Sequence, residues 1–100
     1  MKTLTATTLA LLMALSTTAA AEMSEQARCE GYASYAETIM SARQGGVSMV
    51  VIMRNSFGTM KKMVVEAYEV RRHLAPLWQD REIADFRDKW ALWCFKIDTE

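Results

Sequence analysis

The side chains of this chain that could do chemistry are few. His73 is the single histidine, so a base-activated nucleophile would need it beside a serine or threonine and oriented by an acid. No serine in the sequence sits in a nucleophile-elbow or comparable setting. His73 therefore reads as an exposed residue at a helix end, where its charged form suits the helix dipole. The carboxylate pairs Glu66/Glu69 and Asp85/Asp88 have the three-residue spacing that puts two groups on one helix face. Glycosidase chemistry needs carboxylates across a cleft, so these pairs read as solvated surface. The methionines Met49, Met53, Met60 and Met63 are also spaced for helical contact. Thioethers are soft ligands that suit Cu(I), but methionine is more often adaptable packing or the material of a sticky partner surface. No catalytic residue, metal ligand or cofactor site is expected from these residues.

Cys29 and Cys94 stand at opposite ends of the chain, unlike the Cys-x-x-Cys of redox pairs. Their partnership is decided by the compartment. Lys2, the apolar stretch Leu9 to Leu15 and the small residues Ala19-Ala20-Ala21 have the three-part build of a cleavable secretory signal. The expected organisation is a signal peptide over residues 1–21 and a single helical domain over residues 22–100. Thr5, Thr7, Thr8, Ser16, Thr17 and Thr18 interrupt the apolar stretch, which falls short of the roughly 20 residues a membrane span needs. No stable span is expected after processing. The destination is the periplasm or the exterior, where an even cysteine count reads as a disulfide. Closing so long a loop contributes about 4 kcal/mol in the chain-entropy description, a large share for a domain of this size.

Charge excludes one class of partner. The chain carries 12 basic and 12 acidic residues, and removing Lys2 with the signal leaves 11 against 12. Binding to nucleic acid needs a clustered positive face. None is expected.

Apolar periodicity predicts three to four helices in an all-α bundle. Ser24 caps a first helix running to about Gln44, with Cys29, Tyr32, Ala33, Ala36, Ile39 and Met40 recurring at helical spacing. Gly45-Gly46 ends it, and Arg43 and Gln44 are placed to cover the exposed carbonyl groups there. Ser48 is the expected cap of a short helix through Met49 to Met53; a lone strand there would lack a partner. Asn55-Ser56-Phe57-Gly58 is a turn by composition, and Thr59 is the expected cap of a third helix fading near His73. Pro76 disfavours helix at Ala75, which leaves residues 73–76 as a connection. The last helix, from about Leu77 to Ile97, carries the stripe Ile83, Phe86, Trp90, Trp93, Cys94 and Ile97. A Cys29–Cys94 bond sets the first and last helices antiparallel. Stepping inward then matches Ala33 with Trp90, Ala36 with Phe86 or Arg87, and Met40 with Ile83, small residues against large ones.

Cys29, the run Ile39 to Val47 (IMSARQGGV), Ala67-Tyr68, Phe86, Trp90 and Cys94 together give a chain that resembles short exported proteins of unknown function from Gram-negative bacteria and their prophages. The resemblance covers most of residues 22–100. It implies a periplasmic setting and brings no catalytic residues. Such proteins often carry a proline just after the Ala-Tyr pair, and here Arg71 stands near that point.

Three tryptophans, and six of the eight methionines once Met1 and Met13 are removed, are a heavy apolar load. Part of it must lie at the surface, and such patches mark partner sites. The resulting expectation is a non-enzymatic periplasmic protein that binds another envelope protein through an apolar helical face, with Met49, Met53, Met60, Met63, Trp78 and Trp93 as candidate contacts. The alternatives are a methionine-based Cu(I) carrier and a small hydrolase.

Overall fold

The structure is a computed structural model that describes residues 23–99. The expected signal peptide, residues 1–21, lies outside the described residues, as do Glu22 and Glu100. Four helices, α1 (Glu25–Gln44), α2 (Met49–Arg54), α3 (Thr59–Glu69) and α4 (Pro76–Thr99), make an all-α bundle, with no strand among the described residues.

Local sequence explains where each helix starts and stops. The Ser24 hydroxyl accepts a hydrogen bond from the Ala27 N–H at 3.1 Å, which satisfies an orphan donor of the first turn of α1. At the other end, the Val47 N–H reaches back to the Ala42 carbonyl and the Gly46 N–H to the Arg43 carbonyl. This is a Schellman stop. Gly46 carries the positive φ of 83° that it demands, and an added Cβ there would press on the Arg72 guanidinium at 2.8 Å.

Two caps differ from expectation. The Ser48 side chain makes no capping hydrogen bond to α2. For α3 the cap is Gly58 at φ 57°, with Thr59 already the first helical residue. That backbone lies in the left-handed region, which glycine reaches at little cost, so the turn geometry outranks the threonine's capping preference.

The third helix also ends early, at Glu69, with Val70 extended at ψ 140°. The physical reason is competition. The carbonyls of Val70 and Arg71 accept from Arg43 and Gln44 of α1, and the segment is held straight rather than coiled. Helix α4 then starts on Pro76, a residue well suited to a first helical position.

Two ties at opposite ends make α1 and α4 antiparallel. Cys29, near the start of α1, is bonded to Cys94, near the end of α4, with Cα atoms 5.4 Å apart, inside the usual range of about 4.4–6.8 Å. At the far end the last residue of α1, Gln44, holds His73, three residues ahead of α4. Between these ties Ala36, Ile39 and Met40 pack with Phe86 and Trp90, and Met63, Val64 and Ala67 of α3 complete the core. Ile83 packs against this cluster, in keeping with the inward register expected from the bond. On the outside Lys89 Nζ pairs with Glu66 Oε1 at 3.2 Å and joins α4 to α3.

Candidate functional site

Gln44 is the organising polar residue. It is 1% exposed, and a buried amide must find partners. Its Nε2 donates to the Arg71 carbonyl at 2.9 Å and its Oε1 accepts from the His73 N–H at 2.8 Å. Arg72 Nε returns a hydrogen bond to the Gln44 carbonyl at 3.1 Å, and Arg43 Nε donates to the Val70 carbonyl at 3.1 Å. Arg43 and Gln44 were expected to cover carbonyls at the end of their own helix. They instead cover those of the α3–α4 connection, because the Schellman bonds already serve α1.

This clasp also positions α2. The guanidinium of Arg43 lies 5.2 Å from the centre of the Tyr68 ring, and the Tyr68 hydroxyl donates to the Val47 carbonyl. Burial pushes the Tyr68 hydroxyl up from its usual 10.0, partly offset by the Arg43 charge. The chain thus leaves α1 with Val47 held from α3. Ile52 and Met53 pack against the core, and Ser56 Oγ closes the end of α2 by donating to the Ile52 carbonyl at 2.8 Å.

The outer side of α2 is left apolar. No residue of this helix is fully buried, and Val47, Met49, Val50 and Val51 are exposed, Val50 to 62%. From Gly45 to Val65 the sequence holds no acidic residue, while Arg54, Lys61 and Lys62 are exposed. This uncovered aliphatic run, within a stretch of chain whose only charges are basic, is the strongest candidate for a contact surface in the described residues.

The six candidate contact residues divide. Met49 is exposed, and Met53 and Met60 are half-buried. Met63 is a correction: it is wholly buried in the core cluster, where it packs rather than faces a partner. The four methionines therefore do not share one outer face. Trp78 is half exposed at the start of α4, flanked by the Arg81 guanidinium at 5.2 Å and the His73 ring at 6.2 Å. Trp93, 37% exposed, makes edge contacts with Trp90 and Tyr32 beside the disulfide.

His73 is a second correction. It lies four residues beyond the last residue of α3, its side chain is only 21% exposed, and Nε2 is 3.1 Å from Glu82 Oε1. Gln79 Nε2 donates to its carbonyl, so the residue is built into the entry to α4. The carboxylate pairs also part company, with Glu66 on Lys89 and Asp88 beside Arg87. Neither the basic stretch around α2 nor the Gln44 clasp belongs to the sequence expectation. The gap in acidic residues was legible, but the clasp joins residues 27 to 29 positions apart, beyond any local pattern.

Comparison with protein-family models, curated proteins and solved structures finds no match to this chain. No described helix is long and apolar enough to cross a membrane, and the Cys29–Cys94 bond is compatible with an exported location.

Proposed function

We propose that the chain is an exported, periplasmic, non-enzymatic interaction protein that binds another envelope protein through the outer face of α2. The observation that carries this reading is the exposed run Val47, Met49, Val50 and Val51 on a helix whose inner side is tied down. Uncovered aliphatic side chains lose free energy to water at every position, and covering them is favourable at about 25 cal/mol per Å². The stretch of chain that carries them, Gly45 to Val65, holds exposed Arg54, Lys61 and Lys62 and no acidic residue, which favours a partner surface that is apolar at its centre and acidic at its edge.

The test is affinity isolation from periplasm with the tagged protein beside a Val50→Asp, Val51→Asp variant. A partner held by the parent and released by the variant supports the reading. The same proteins captured by both, or none by either, would overturn it.

A further inference from the structure

A pocket of about 510 Å³ opens between the first half of α1 and the turn into α3. Its volume lies within the roughly 300–1,000 Å³ of small-molecule sites. Tyr32 and Tyr35 line it from α1, Phe57 and Met60 from the turn and the start of α3, and Gly31 lies among them. Tyr35 is 50% and Phe57 70% exposed, so two aromatic side chains stand largely uncovered beside the opening.

Gly31 is the informative residue. Glycine inside a helix is less favourable than every residue but proline, and α1 continues well beyond it on both sides. Its backbone does not take a positive φ. An added Cβ would meet nothing within 4 Å, so no tight helix contact calls for glycine either. What the missing side chain leaves is open room beside aromatic walls.

We propose that this pocket binds a small, largely apolar molecule carrying an aromatic ring, seated over Gly31 between Tyr35 and Phe57. Aromatic side chains favour offset or edge contacts with another ring, and methionine sulfur adds to them. A flat ring resting on a helix also needs the close approach that a side chain at position 31 would block. The site is separate from the outer face of α2 and stands whether or not that face binds a protein.

The experiment is a titration of the ¹⁵N-labelled protein with 1-naphthol, alongside Gly31→Leu and Phe57→Ala. The expected result is saturable shifts centred on the amides of Gly31, Tyr35, Phe57 and Met60, with a Kd of about 1 mM or tighter. Gly31→Leu fills the room and should weaken binding by roughly tenfold or more, while its better helix propensity raises Tm by about 4 °C. Phe57→Ala removes an exposed wall and should weaken binding without touching the core. Equal affinity in both variants, or shifts centred instead on Val50, Leu74 or Trp78, would overturn the assignment. So would light scattering that shows a dimer which Gly31→Leu disperses, since a second copy would then fill the pocket.

Discussion

Helices α1 and α4 are tied at both ends and share a buried core, whereas α2 buries no residue fully and turns aliphatic side chains to water. The difference teaches where this small chain keeps its stability and where it keeps surface available. Loss of contacts in the first region should unfold the protein. Equally drastic changes on the outer face of α2 should leave it folded.

The largest effect belongs to the disulfide. Reduction, or paired Cys29→Ser and Cys94→Ser, releases the loop constraint and should remove about 4 kcal/mol. Calorimetry should then show Tm lower by about 15 °C or more. A shift of only a few degrees would mean that the core holds α1 and α4 together without the bond.

Next is Gln44→Ala, which strands the His73 N–H and the Arg71 carbonyl. Both contacts are only part-buried, so water replaces some of each lost bond, and chemical denaturation should show a loss of about 1–2 kcal/mol. Arg43→Ala tests the same clasp at its outer edge. If it left stability unchanged yet abolished partner capture, Arg43 would belong to the contact surface rather than to the fold.

Tyr68 sharpens the comparison through pH. Its hydroxyl titrates above its ordinary value in the folded chain, so its neutral form is the one the fold prefers. That stabilisation is complete below the unfolded value of 10.0 and is lost as pH rises through the higher folded value. Melting curves from pH 9 upward should therefore fall more steeply for the parent than for Tyr68→Phe. Parallel curves would remove Tyr68 from the account.

The smallest stability effect is expected at Val50, 62% exposed. Val50→Asp should change unfolding free energy by no more than about 0.5 kcal/mol, as ordinary surface substitutions do. A loss of several kcal/mol would show that α2 belongs to the folding core after all.

Much of the first region was legible because its determinants are local or few. Ser24, the Gly45-Gly46 pair and Pro76 mark helix ends through their own backbone chemistry, and two cysteines allow a single intramolecular pairing. The bond sets α1 and α4 side by side, and the two apolar stripes supplied Ala36, Ile39, Met40, Phe86 and Trp90 of the core, with Ile83 packed against it. The end of α3 was not legible, because it is set by side chains of α1 that reach across the fold to Val70 and Arg71. Met63 was misassigned to an outer face for a related reason. Periodicity shows which residues share a side of a helix, and the packing of α3 on α1 decides which side is covered.

The division between a bonded core and an available α2 face is tested most directly by a photo-crosslinking residue placed in living cells at Val50, with one at Glu37 on the exposed side of α1 as the reference. The expected outcome is one adduct of defined mass formed at Val50 and absent at Glu37, with the same adduct lost when Lys61 and Lys62 are changed to glutamate. Identical adducts from both positions, or none from Val50, would contradict the account.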